Sequence, residues 1–406
     1  MNVMYMEKLA TFINSGIDDR PVALKYDPFW QSLRSTGTEL WLDTGDIEEA
    51  EANWTAEMTA LTTNNTLLNN EIQKGIYDDF IPEAVKIVKH LSEDEQVKEI
   101  AFILNARHGL RLARKFGGMV SVELHTDTAH DIEAIVSYGL RYRELCPDHF
   151  IVKVPYTPEG LIGARRLREQ GVRINFTLEF SARQNALVTL VAKPDYLNVF
   201  LGRIGAFITD NKLGDGTGAG ENAVLSSQMW VTRLSAENNW KTRQIAASMR
   251  NYNQIDMLAG TDVFTMPPKV AAAGRESLNG LFSNRLGWHY DVPLNDNAAG
   301  LGIEKFWEVP RSVIDLGRAL NRQMPLTGEQ LVERTHAAGL PDMFPRMSKE
   351  DNDRIAAEGK IPVLASWKER VLSGELALDT MLTLAGIASF TADQRQLDDR
   401  IRGIIG

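Results

Sequence analysis

Between residues 37 and 267, short runs rich in β-branched and aromatic residues alternate with longer stretches whose apolar positions recur at helical spacing. The runs GTELWLDTG (37–45), MTALTTN (58–64), MVSVELH (119–125), FIVKVPY (150–156), VRINFTLEF (172–180), DYLNVFLG (195–202), TRQIAASM (242–249) and DVFTMP (262–267) read as strands. Of the stretches between them, 127–145 has an acidic first turn, and 158–171 carries Pro158 at its start and Gly171 past its end. Residues 181–193 begin with a serine where a helix N-cap belongs, and 253–260 close on glycine. Strands alternating with helices predict βαβ units and a parallel sheet. Eight such units predict an α/β fold of the (β/α)8 TIM-barrel type. An open doubly wound sheet is the alternative, and the lack of a Gly-rich phosphate turn after the first strand weighs against it.

This pattern divides the chain into an N-terminal helical extension (1–37), a barrel (38–275) and a C-terminal irregular and helical extension packing on the barrel (276–406). Residues 280–310 mix Gly, Pro, Asn and aromatics as an irregular connection, and the charged tail from 311 reads as a small helical appendage to which the sequence assigns no chemistry. The stretch LGDGTGAGEN (213–222) lacks the Lys-Ser/Thr of a phosphate loop and reads as a mobile loop over the barrel mouth. Trp288, His289, Tyr290, Phe306 and Trp307 read as packing of the extension onto the barrel rather than a sugar-stacking lid. Trp30, Trp41 and Trp54 read as packing of the N-terminal extension and barrel base.

A net charge of −10 argues against nucleic-acid or membrane-surface partners. No segment approaches the roughly 18 apolar residues of a spanning helix, and no signal-peptide pattern opens the chain. The single cysteine, Cys146, forbids an intrachain disulfide and fits a reducing cytoplasm. His125, Asp127 and His130 lack a third partner, so no metal site is expected.

Polar groups interrupt the apolar runs at their C-terminal ends, where a barrel gathers its chemistry. Asp43 ends the first run, Asn64 the second, and Glu123 lies in the third. Lys153 lies in the fourth, Asn175 and Thr177 in the fifth, and Asn198 in the sixth with Arg203 just beyond. Ser248 lies in the seventh, with Arg250 just beyond it. Alone, Lys153 reads as a strand-edge lysine with its head in water. In this company it reads as an amine that attacks a ketone and forms an iminium, an electron sink for breaking a carbon–carbon bond. Asp43 is the candidate base for the β-hydroxyl, and Glu123 with Thr177 the candidate pair for moving protons through water. Asn64 and Asn175 suit substrate hydroxyls, and Arg203, Ser248 and Arg250 suit a phosphate.

The ordered set LDTGD (42–46), TTNNTLL (62–68), VSVE (120–123), FIVKVPYTPEGL (150–161), INFTLEFSARQ (174–184), VFLGRI (199–204) and AASMRN (246–251) resembles the transaldolase family of class I Schiff-base enzymes. The resemblance implies a dihydroxyacetone transfer between sugar phosphates as in the pentose phosphate pathway, without a cofactor, in a cytoplasmic monomer or homodimer. It implies that Lys153 forms the Schiff base, that Asp43 and Glu123 are acid/bases, and that Thr177 holds water. It assigns Asn64 and Asn175 to the dihydroxyacetone part, and Arg203, Ser248 and Arg250 to the phosphate. The family's fructose-6-phosphate aldolases resemble the chain less, carrying Gln at the position of Glu123 and Tyr at that of Phe200, which implies transfer rather than cleavage. The chain departs from the pattern at Asn198 (usually Ser, beside the donor hydroxyls), His125 (usually Asp) and Asn65 (usually Pro). Those departures leave a lyase or a non-standard donor or acceptor as one alternative, and a non-catalytic sugar-phosphate-binding paralogue as another.

Overall fold

The computed structural model describes residues 3–18 and 20–405; positions 1, 2 and 19 of the expected N-terminal extension and 406 of the tail lie outside the described residues. Eight parallel strands close into one barrel in chain order: β1 (Glu39–Asp43), β2 (Met58–Thr62), β3 (Met119–Glu123), β4 (Phe150–Pro155), β5 (Ile174–Thr177), β6 (Tyr196–Phe200), β7 (Arg243–Ala247) and β8 (Val263–Met266). Each lies inside a run read from the sequence. All six residues of β4 are buried, because helices cover its outer face while the barrel interior takes the inner one.

The connecting helices start where local chemistry satisfies their first amides. Ser181 accepts from Gln184 N, Thr157 from Gly160 N with Pro158 behind it, and Asn64 from Leu67 N. The link from β2 to β3 is unusually long and holds three helices, Asn65–Gln73, Ile81–Val88 and Glu93–Phe116. The barrel base is closed by Trp41 against Tyr196 and by the Glu39–Arg243 ion pair. Trp30 and Trp54 are buried, as their reading required.

One expectation is corrected in part, and one open question is answered. The stretch 213–222 is a loop only as far as Gly218, lines the cavity beside the mouth through Asp215, Gly216 and Thr217, and is pinned in place. Gly214 bridges Leu294, Gly218 abuts Asp291 O so closely that a side chain would clash, and Ala219 opens the helix Ala219–Asn238. It is a helix-to-helix turn fastened to the 290–295 segment. The tail, whose role the sequence left open, reaches the site, because its last helix, Leu378–Ile405, crosses the barrel mouth and places Phe390 in the cavity there. Thr383 Oγ1 donates to Leu178 O (2.9 Å) past β5, and Asn65 and Thr66 past β2 bond Gln394 and Asp393 on the same helix. A buried ionic cluster fixes its start: Arg183 bridges Asp379 (2.7 Å) and Asp342 (3.0 Å), and Ser181 Oγ donates to Asp379 (2.6 Å).

The aromatic cluster lies away from the mouth. Trp288, His289 and Trp307 line an outer crevice with the helix Ala219–Asn238, Tyr290 donates to Met257 O (2.7 Å), and Phe306 is buried. Among the described residues no helix is long and apolar enough to cross a membrane.

Candidate active site

Strand register sets the site. Lys153 on β4 pairs with Glu123 on β3 and with Asn175 on β5, so three polar side chains share one level of the barrel. Lys153 is 3% exposed, and its Nζ donates one hydrogen bond, to Thr63 O at 3.1 Å. Glu123 Oε2 stands 3.6 Å from that nitrogen, close enough for attraction but beyond a hydrogen bond. Asp43 accepts from Thr62 Oγ1 (2.7 Å), which in turn lies 2.6 Å from Thr265 Oγ1. Burial pushes the carboxyls of Asp43 and Glu123 up, against the pull of Lys153, which suits them to exchange protons nearer neutrality.

Lys153 opens into a cavity of about 140 Å³ at the C-terminal end of the barrel. Asp43, Asn64, Asn198, Phe200, Arg203, Ser248 and Arg250 also line it. Asn175, Thr177 and Glu123 do not reach its surface; they are buried around the lysine. Thr177 Oγ1 and Glu123 Oε2 have no hydrogen-bond partner among the described residues, a costly state for buried polar atoms and a natural place for a water molecule. Asn175 is committed inside the protein: its Nδ2 donates to Ser121 Oγ (3.0 Å), and its Oδ1 accepts from Asn198 Nδ2 (2.8 Å). Asn198 also donates to Phe176 O, so the residue that departs from the family pattern acts as a strut for Asn175.

The far end of the cavity is cationic. Arg203 is 6% exposed, its guanidinium lies between the rings of Phe200 (5.5 Å) and Phe390 (5.4 Å), and its Nη1 has no hydrogen-bond partner among the described residues. Burial and the neighbouring Arg250 bring its pKa down to about 10. A buried cation short of a partner is an anion site in waiting. Ser248 holds its place through a left-handed backbone (φ 62°), a strained conformation for a non-glycine residue. Gly202 makes the close approach possible: a methyl there would sit 2.0 Å from Ser248 O and 2.5 Å from Arg250 Cγ. Gly202→Ala is therefore expected to displace the Ser248–Arg250 turn and weaken binding of inorganic phosphate roughly 10–100-fold, measured by titration calorimetry.

A scan of family models matches residues 40–285 to the family "Transaldolase/Fructose-6-phosphate aldolase". The chain belongs to this family. It is 33% identical over 236 residues to a probable transaldolase of Thermus thermophilus, which covers 57% of this chain and 88% of that protein. To the transaldolase of Kluyveromyces lactis it is 28% identical over 249 residues (59% and 73%), and to that of Homo sapiens 28% over 242 (57% and 71%). The chain is thus an enzyme of the transaldolase and aldolase kind, and the tail lies outside the matched region.

Three residues around the site were missed in the sequence. Phe390 and Lys360 line the cavity from the tail, and no local pattern signals them. Glu179 follows Thr177 on the same segment, fully buried with neither carboxylate oxygen bonded among the described residues, and burial drives its carboxyl well above the usual range. A charge inside NFTLEF was its signal. The departures at Asn65 and His125 acquire a reason from the tail helix. Asn65 Nδ2 donates to Gln394 Oε1 (2.8 Å), and His125 Nε2 lies 3.3 Å from Asp398 Oδ2. His130 instead faces Glu159, and among the described residues no three metal-ligating side chains converge.

Proposed function

We propose that the chain is a transaldolase, transferring a dihydroxyacetone unit from a ketose phosphate of the fructose 6-phosphate or sedoheptulose 7-phosphate type to an aldose phosphate. One observation carries the reading. A buried lysine amine beside two carboxyls lines the same small cavity as Arg203, Ser248 and Arg250, which suit a phosphate.

The Lys153 amine, once deprotonated, attacks the ketose C2 carbonyl, and loss of water leaves the iminium. Asp43 takes the proton from the C4 hydroxyl, the C3–C4 bond breaks, and its electrons pass into the iminium to give an enamine. The aldose phosphate leaves. The enamine carbon then attacks the acceptor aldehyde, Asp43 returns the proton to the new hydroxyl, and water hydrolyses the iminium. Glu123 and Thr177, both with an unpartnered buried oxygen, support the water needed at the first and last steps. The iminium is itself the electron sink, so no cofactor enters the scheme.

Phe200 favours transfer over release. It presents a ring without a hydroxyl to the cavity, so the enamine meets no proton donor from that side. Omitting the acceptor tests this reading. With fructose 6-phosphate alone, product formation is expected to stop after about one turnover per active site and resume when erythrose 4-phosphate is added. Sustained release of dihydroxyacetone without acceptor would identify a lyase instead.

A further inference from the structure

We propose that Lys360, supplied by the tail and by no barrel strand, is the third cation of the phosphate end and a determinant of the preference for phosphorylated substrates. The proposal rests on the reading of Arg203, Ser248 and Arg250 as the phosphate anchor and extends it to a residue outside the family-matched region.

The tail holds Lys360 in place with unusual care. The helix Lys349–Glu358 ends at Gly359, whose backbone (φ 80°, ψ −150°) lies in a region essentially restricted to glycine. Glu358 Oε2 then accepts from both Val363 N and the indole Nε1 of Trp367, each at 2.9 Å, and Trp367 is fully buried. On the barrel side, Asn211 clamps the same segment, donating to Pro362 O (3.1 Å) and accepting from Leu364 N (2.8 Å). Asn211 caps the end of the helix Leu201–Asp210, which carries Arg203 in its first turn. One short helix therefore sets the relative positions of Arg203 and Lys360.

The frame delivers a cation to the wall that already carries Arg203 and Arg250. Lys360 lines the catalytic cavity together with Arg203 and Arg250, and the same three residues line a neighbouring cavity of about 550 Å³. None of the three forms an ion pair among the described residues. Asp210, Asp215 and Glu221 also line the larger cavity without pairing to them, and Glu221 is engaged by Gln254 (2.8 Å). The three cations repel each other, against the pull of Glu123, Asp393 and Asp43 on Arg203. A dianionic phosphate placed among them removes that repulsion and gains a charge-assisted contact from each. Arg203 supplies a rigid buried fork, while Lys360 supplies an exposed point charge at the rim, suited to capturing a phosphate as it enters.

The test is titration calorimetry of the full-length protein with inorganic phosphate, comparing wild type, Lys360→Met and Lys360→Arg. Lys360→Met is expected to weaken phosphate binding roughly tenfold at low salt and by less as salt screens the charge, with Lys360→Arg within about threefold of wild type. The KM for fructose 6-phosphate should rise in parallel, with kcat moving far less. Unchanged phosphate affinity in Lys360→Met, or an Arg variant as weak as the Met variant, overturns the proposal. A thermal melt coincident with wild type excludes loss of tail packing as the cause. Phosphate affinity is read without turnover, so absence of a Schiff base on Lys153 would sink the transaldolase reading and leave the role of Lys360 separately decided.

Discussion

Replacing Lys153 with Met is expected to lower transfer activity by at least about 10³–10⁴-fold while leaving a folded protein that still binds sugar phosphates. The size of the loss follows from the chemistry. Without an amine no iminium forms, and without an iminium the electrons of the C3–C4 bond have nowhere to go. No other lysine replaces it in the cavity: Lys360 lines the rim from the tail, beside the cationic end. The fold should tolerate the change, because Lys153 contributes one hydrogen bond, to Thr63 O, and an attraction across 3.6 Å to Glu123. Met nearly matches the stem's volume and removes a charge whose burial is costly. Lys153→Arg separates charge from nucleophilicity, keeping the cation but supplying no free amine. It should lose activity as completely as Met. Steady-state rates with thermal melts and phosphate affinity on the same samples check all three points.

The second large effect lies away from the chemistry. Arg183→Ala is expected to destabilise the protein by about 3–5 kcal/mol, because it strands Asp379 and leaves Asp342 with only the part-exposed Lys305, where Arg183, Asp379 and Asp342 are each at most 6% exposed. The double replacement Arg183→Met with Asp379→Leu should cost far less, since no buried charge is left alone at that pair. The pH dependence has a defined sign. Burial raises the Asp379 carboxyl, but Arg183 and the Ser181 hydroxyl override it and hold it below the usual carboxylate range. A depressed carboxyl contributes stability above its unfolded value, near 4, and loses it as pH falls through the folded one. The gap between wild type and Arg183→Ala should therefore be full at pH 7 and shrink below about pH 4, as measured by urea unfolding. Activity at neutral pH should fall with stability, because the helix that Asp379 anchors carries Phe390 over Arg203.

The barrel was legible because its signals are local. Each strand lies in a compact run with a buried, mostly apolar centre, and parallel strands buried on both faces leave little ambiguity between strand and loop. The inward polar residues stood out for the same reason: Lys153 in FIVKVPY and Asn175 with Thr177 in INFT break an apolar pattern that burial would otherwise demand. Residues whose meaning depends on distant partners were not legible. Asn65 and His125 read as unexplained departures because Gln394 and Asp398 lie 329 and 273 positions away. Phe390 sits among ordinary helix residues, and only the docking of that helix turns it toward Arg203. Asn198 was placed beside the donor hydroxyls. The structure has it lining the cavity while its amide braces Asn175. The turn at 213–222 misled because glycine-rich composition signals backbone freedom, whereas here Gly214 and Gly218 permit close contact with another segment.

The central claim is the covalent one, and trapping tests it most directly. The protein is incubated with fructose 6-phosphate, reduced with borohydride, digested and mapped by mass spectrometry. The account predicts a reduced three-carbon adduct on Lys153, formed only with substrate present and lost in Lys153→Met. An active protein that yields no adduct, or carries it on another lysine, would contradict it.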